Sequence, residues 1–272
     1  MNHQSDSRET DLVGRPLDRV DGPAKALGTA LYAADQTTAR PVLAGHIVEA
    51  PVGPGRIVAI DAEAAEAAPG VRLVMTYRNA PLQTAPTEPE SAHRFTQSHA
   101  LLTSEDVPHA GAPIALVVAE TLEAAQHAAS LLRIEIEPTE AVYGAGVRPD
   151  LAEVPDALDG ADEADISVGD IDAAFQHSDV VLEATCEIAG QHAAMEPHAT
   201  LAEWRNGELT LLMSVQILAS ARKAIARTLG IDESKVRIRS PFVGGGFGSK
   251  LGIHNDAVLA ALAATMLAEP VR

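Results

Sequence analysis

Cysteine occurs once in the 272 residues, at Cys186. A lone thiol excludes an intrachain disulfide framework, a cysteine-rich zinc site and a self-contained iron–sulfur cluster. Aromatic residues make up only 3% of the chain, which leaves few stacking platforms for single-stranded nucleic acid. Basic side chains are also scarce: 20 Lys and Arg stand against 38 Asp and Glu, for a net charge of −18. That surplus repels phosphate backbones and anionic lipid, so neither nucleic acid nor a membrane surface is an expected partner. No run approaches the ~18 consecutive apolar residues of a membrane-spanning helix. The polar start, MNHQSDSRETDLVGRP, has neither an apolar core nor a twin-arginine pair and does not read as a signal peptide. The expected address is the cytoplasm, or the periplasm for a subunit exported folded on a partner's signal.

What is present is ordinary globular material, 46% hydrophobic and 21% charged, in a length that suits two domains. From Leu43 the pattern alternates between strand and helix. Strands are predicted over 43–49, 56–60, 71–76, 114–119 and 133–137. Between them fall a helix over 61–68, capped by Asp61 and stopped at Pro69-Gly70, and a helix over about 121–132 capped by Thr121. The polar stretch 83–99 has turn chemistry and no period. Residues 138–165 combine three prolines, three glycines and a late acidic cluster (Asp159, Asp162, Glu163, Asp165), which reads as a solvated linker.

Beyond the linker, strands are predicted over 180–189, 199–204, 208–214 and 235–240. Asn206-Gly207 is a strong hairpin signal. A helix over about 218–229 ends at Gly230, and another covers about 255–268. Cys186 sits in the 180–189 run and is expected to be a small buried hydrophobe. A new strand begins at the terminal EPVR, so the chain is expected to be a truncated piece or one part of a split subunit.

The densest chemical signal is Gly244-Gly245-Gly246-Phe247-Gly248-Ser249-Lys250, between a strand and a helix. Clustered glycines let backbone N–H groups converge on an anion or oxo group. A phosphate-binding loop of the Walker type fails at Ser249, where a glycine is needed, and at Leu251, where the magnesium-binding hydroxyl belongs. A dinucleotide fingerprint also breaks at Ser249. A tight strand-to-helix turn without a ligand remains the bland alternative. A second cluster, Gln191 to His198, carries His192, Glu196 and His198. It misses the H-E-x-x-H pattern, and a hydrogen-bonded surface turn competes with a metal site. Gln216 closes an apolar strand, where a buried amide would need a partner. No G-x-S-x-G elbow supports a serine hydrolase.

Four segments occur in order: GRPLDRVDGPAKALGTALYAAD (14–35), QHAAMEPHATLAEW (191–204), Gln216 and SPFVGGGFGSKL (240–251). Together they make the chain similar to the molybdenum-cofactor-binding large subunit of the xanthine dehydrogenase and aldehyde oxidase family, nearest its aldehyde-oxidoreductase branch. The resemblance implies an α+β (mixed α/β) architecture. It has a lead-in over 1–24, an α/β hammerhead domain over 25–140, the acidic linker over 141–165, and the first part of a molybdenum-cofactor-binding domain over 166–272. It implies hydroxylation of aldehydes or aromatic heterocycles with oxygen taken from water. The cofactor implied is molybdenum–molybdopterin, in its cytosine dinucleotide form, and the pterin dithiolene rather than protein side chains holds the metal. Electrons would leave through iron–sulfur clusters to FAD on partner subunits, and the remainder of the large subunit could be a separate chain.

By the same resemblance Gln216 matches the amide facing the molybdenum oxo ligand. Phe247 and Gly248 match loop positions at the cofactor and substrate pocket, and Gly245 and Gly246 match the loop that permits close approach. Leu251 stands where purine-hydroxylating members carry a glutamate, which favours aldehydes. The family's glutamate base lies downstream of residue 272, so the 272 residues alone are expected to be inactive. A non-catalytic binding or assembly module that keeps the hammerhead and the loop is the alternative, with a nucleotide-binding enzyme a third reading.

Overall fold

In a computed structural model, the structure describes residues 14, 16–85, 94–96, 98–144, 148–153 and 166–272. Most of the lead-in (1–13 and 15), part of the polar stretch (86–93 and 97) and most of the acidic linker (145–147 and 154–165) lie outside the described residues.

The first half builds two three-stranded antiparallel sheets. One places β5 (Pro113–Ala119) between β1 (Ala44–Glu49) and β3 (Val71–Thr76), and the other places β2 (Gly55–Asp61) between β4 (Asp106–Val107) and β6 (Arg133–Pro138). β5 reads as unbroken apolar sequence because both of its faces are covered. Val117 and Ala119 meet α2 (Glu63–Glu66) and α3 (Leu122–Leu131) through Ala65, Ala125 and Ala128. Leu116 and Val118, on the opposite face, join the main core. β2 is only half-buried, and its Ile57 packs with Val107 and Ile114.

Helix caps follow the sequence with one adjustment. The Thr121 hydroxyl accepts the Ala124 N–H at 3.1 Å at the start of α3. The helix expected over 61–68 shrinks to a single turn because β2 runs on to Asp61, which pairs with Arg133. Ala62 therefore takes the cap position expected for Asp61, and Asp61, one residue before it, accepts the Glu63 N–H at 3.3 Å.

The second half is a hairpin and two helices. β7 (Thr200–Arg205) and β8 (Glu208–Met213) pair in register across Asn206 and Gly207, whose φ values of 53° and 80° give the turn its left-handed backbone. β9 (Val236–Arg239) adds to β8 in parallel after the crossover helix α5 (Leu218–Leu229). α5 ends at Gly230, with φ 64°, as expected. α6 (Asn255–Leu267) is apolar on every side, and Ala257 through Ala264 are all buried. It lies against β7 and also touches β3 and β5, so a helix with no polar stripe is accounted for.

Two short helices had no sequence signal strong enough to place them. α1 (Gly22–Ala26) opens on Pro23, and α4 (Ile171–His177) is capped by Asp170 accepting the Ala173 N–H at 2.9 Å. The strand expected over 180–189 does not form: the segment is irregular, and Leu182 and Ile188 are 88% and 93% exposed. Cys186 is correspondingly exposed rather than buried. Its alternation is genuine, but a strand needs a neighbour, and this segment pairs with no strand among the described residues.

The terminal residues do what their β-branched sequence suggests. Val271 bridges Leu43 in parallel and Ala202 in antiparallel fashion, with four backbone hydrogen bonds of 2.8–2.9 Å tying residues 270–272 to Leu43 and Ala202. This single rung joins the two sheets across the halves of the chain.

Candidate functional site

The glycine run lies between β9 and α6 and folds back over the end of β8. Gln216 follows β8, and its backbone N–H donates to the Lys250 carbonyl at 2.7 Å. The side-chain amide of Gln216 rests on Gly246: a methyl group added at Gly246 would overlap Gln216 Oε1 and stand 2.9 Å from Cδ. Only glycine allows that approach. The apolar strand suggested a buried amide, yet Gln216 is exposed, because β8 ends one turn before it and the loop covers only one side.

Phe247 occupies the loop tip at φ 46° and is 76% exposed. A left-handed phenylalanine is unusual, and this one is steadied by an edge contact with His192, the ring centroids 6.2 Å apart. Gly248 follows at φ 90° with open space around it. His192 Nε2 lies 3.0 Å from the Gly246 carbonyl, which also accepts the Ser249 N–H at 2.8 Å and its hydroxyl at 3.0 Å. The tip is therefore braced from beneath, and Phe247 and Gly248 face outward.

The foot of the loop contains the residue pair that the sequence reading missed. Lys250 is fully buried, and its ammonium donates to the Glu196 carboxylate at 2.7 Å and to the Glu196 backbone carbonyl at 2.8 Å. The same carboxylate oxygen, Oε2, accepts the Gly244 N–H at 2.6 Å and the Ser214 hydroxyl at 2.7 Å. Burial pushes the Glu196 carboxyl up, but Lys250, Gly244 and Ser214 together outweigh it and hold the pKa below the ordinary carboxylate value. Gly244 is needed because a Cβ there would come within 2.6 Å of Glu196 Cβ. The surface-turn reading of 191–198 thus misses its central residue. A lysine at the end of a glycine run and a glutamate before Pro197 were both visible, but nothing in their spacing joined them.

His192 and His198, weighed above as a metal pair, diverge. His198 stacks near His254, the centroids 4.4 Å apart, while His192 goes to the loop. Burial lowers the His198 pKa, and the neighbouring His254, Lys250 and His192 add to that against the opposing pull of Asp256. The N-terminal motif also has a place here. Tyr32 and Lys25 pack on Phe242, just ahead of the glycines, with the Tyr32 and Phe242 rings 5.8 Å apart.

Two family models match the chain. The a/b hammerhead domain of aldehyde oxidase and xanthine dehydrogenase matches residues 27–140, and the molybdopterin cofactor-binding domain matches residues 155–272. The chain belongs to the aldehyde oxidase and xanthine dehydrogenase family.

Among its relatives, the aldehyde oxidoreductase molybdenum-binding subunit of Escherichia coli K12 is 40% identical over 96% of this chain and 34% of that protein. The nicotine 6-hydroxylase large subunit of Paenarthrobacter nicotinovorans is 30% identical over 96% of this chain and 33% of that one. The quinoline 2-oxidoreductase structure from Pseudomonas putida 86 superposes with a TM-score of 0.70 at 25% identity, covering 95% of this chain and 34% of that chain. The family member described here therefore spans about a third of the length of these relatives. Its mixed helix-and-sheet fold, a hammerhead followed by a molybdopterin-binding unit, agrees with the architecture implied by the resemblance. Among the described residues no helix is long and apolar enough to cross a membrane.

The loop geometry fits a large, oxygen-rich cofactor. Gly248 has open space where a side chain would stand, Phe247 projects, and the Gln216 amide lies against Gly246. No group of three or more His, Cys, Asp or Glu side chains that could hold a metal ion comes together among the described residues.

Proposed function

We propose that this chain forms the N-terminal part of the molybdenum-cofactor subunit of a hydroxylase that oxidises aldehydes, or aromatic heterocycles, with oxygen derived from water. The observation that carries the reading is the contact of Gln216 with Gly246, which sets an amide beside the exposed loop tip. When bound, a molybdenum–molybdopterin cofactor supplies the two-electron redox centre, and the form proposed is the cytosine dinucleotide. Gln216 would present its amide to the oxygen-rich face of that cofactor, and the backbone at Phe247 and Gly248 would approach it closely. Fixed dipoles of this kind stabilise developing charge without reorganising during the reaction. Phe247 would wall the substrate pocket and exclude water.

Leu251 supports aldehydes over purines, since it offers no carboxylate beside the loop. The naming of the E. coli relative as an aldehyde oxidoreductase subunit points the same way. Electrons would pass to iron–sulfur and FAD partner subunits, and the general base would come from sequence beyond residue 272. The site residues proposed are Gln216, Gly245, Gly246, Phe247 and Gly248, in domains bounded near residues 25–140 and 166–272, with the cytoplasm as the proposed address.

The test uses the complete subunit purified with its partners from its natural source. Metal analysis should give about one molybdenum per subunit, with a cytidine nucleotide released on hydrolysis of the cofactor. Gln216→Ala should retain the metal and lower benzaldehyde oxidation by about 100-fold, the effect of removing one preorganised donor. Fully active enzyme without molybdenum would overturn the proposal.

A further inference from the structure

Every loop needs something to hold its ends, and here a single oxygen atom does so. Glu196 Oε2 accepts the N–H of Gly244, where the loop begins, at 2.6 Å, and the ammonium of Lys250, where it ends, at 2.7 Å. Lys250 has no exposed surface, and the Glu196 side chain retains 10% exposure. A pair this deeply buried is held in a narrow range of geometries, because parting the charges within the site would leave each buried and uncompensated.

The consequences run directly to the candidate site. The Lys250 carbonyl accepts the Gln216 N–H at 2.7 Å, so the residue anchored by Glu196 also fixes the backbone of Gln216. Ser214, two residues before Gln216, is tied to the same carboxylate oxygen at 2.7 Å. Both the loop and the end of the β8 strand therefore refer to one atom. The five residues between the anchors, Gly245 to Ser249, include three with positive φ, and the turn they make is held at its ends by these bonds.

We propose that Glu196 is a positioning residue, charge-locked by Lys250, which sets the distance and angle between the Gln216 amide and the glycine-loop tip. Lys250, which in sequence ends a phosphate-loop-like run, serves this clamp and is not a ligand for phosphate. The inference deepens the molybdenum-site reading above and rests on it.

The variants are Glu196→Gln, Lys250→Met and the two combined, made in the complete subunit with its partners. Each single change strands the other partner in a buried setting and lowers the melting temperature. The double variant carries neither charge and should melt close to the parent, since replacing both members of a buried pair is far milder than removing one. If the clamp positions the site, the double variant nevertheless loses about 100-fold in kcat per molybdenum, the scale of an ångström misplacement, with KM changed only a few-fold. Residue-resolved hydrogen exchange should also show its Gly244 amide opening faster than in the parent.

Parental kcat per molybdenum in a well-folded double variant overturns the proposal, even if molybdenum content falls. Should the double variant not fold, exchange in the unaltered subunit decides. A Gly244 amide far slower than those of Phe247 and Gly248 supports the clamp, and equal rates refute it. Absence of molybdenum from the parent would instead sink the cofactor reading, a separate failure.

Discussion

At the scale of single residues, one oxygen of the Glu196 carboxylate accepts from Lys250, Gly244 and Ser214 together. Its pKa is held below the ordinary value of 4.5 by Lys250, Gly244 and Ser214 against the opposing effect of burial. A carboxylate with a depressed folded-state pKa contributes stability that is complete above its unfolded value. That contribution is lost as the pH falls from about 4.5 through the folded-state pKa. Glu196→Gln should therefore be less stable than the parent at pH 7, by about 3–5 kcal/mol for an uncompensated buried partner. The difference should begin to narrow as the pH drops below about 4.5, where the unfolded chain takes up the proton, and should close once the pH passes below the depressed folded-state pKa and the folded parent is neutral there too. Urea unfolding of both proteins between pH 3 and pH 7 checks the sign; a gap that widens in acid would contradict it. Gly246 teaches a related lesson: its role is defined by the Gln216 amide that fills the space of its missing side chain.

At the scale of elements, local chemistry fixed most boundaries wherever a capping or turn residue stood in the right place. α3 begins at the Thr121 cap, the β7–β8 hairpin turns at Asn206 and Gly207, and α5 ends at Gly230. Thr121→Ala removes the acceptor for the Ala124 N–H and should cost about 1 kcal/mol. Thermal unfolding should register this as a drop of roughly 2–4 °C, while Thr121→Ser should come close to the parent. The failures are equally physical. Asp61 was drawn into β2 by its pairing with Arg133, which shortened α2 to one turn. Residues 180–189 alternate as a strand does, but hydrogen-bond capacity without a paired neighbour does not make one. α1 and α4 were too short for periodicity to reveal.

At the scale of the whole molecule, the two family domains share a core. Met75, Leu116 and Val118 from the hammerhead pack in one cluster with Leu209, Leu211 and the aliphatic face of α6. Leu43, from the same half, meets Val271 in that cluster, and Val271 is 1% exposed. Backbone bonds from residues 270–272 to both Leu43 and Ala202 make this rung a continuous hydrogen-bonded bridge. Val271→Asp would bury a carboxylate between two sheets, among the apolar side chains of that cluster. We expect a loss of about 3 kcal/mol or more and a split of one unfolding transition into two. Calorimetry reads both, and a single unshifted transition would show that the bridge at Val271 does not couple the halves. Salt bridges such as Arg222 with Glu233 sit on the exposed surface and contribute little by comparison.

The sequence by itself determined most of the element types, most caps and turns, and the family to which the chain belongs, because those depend on neighbours within a few residues or on motifs kept in order. The glycine run and Gln216 could be singled out for the same reason: an unusual composition and an amide closing an apolar strand are local facts. Tertiary structure alone decided that Glu196 and Lys250, 54 positions apart, meet at 2.7 Å, that Tyr32 packs on Phe242, and that Val271 completes a bridge between sheets. A buried ion pair leaves no periodic trace in sequence. Its partners are chosen by where the chain returns, and that is fixed only when the apolar faces of β5, β8 and α6 have found one another.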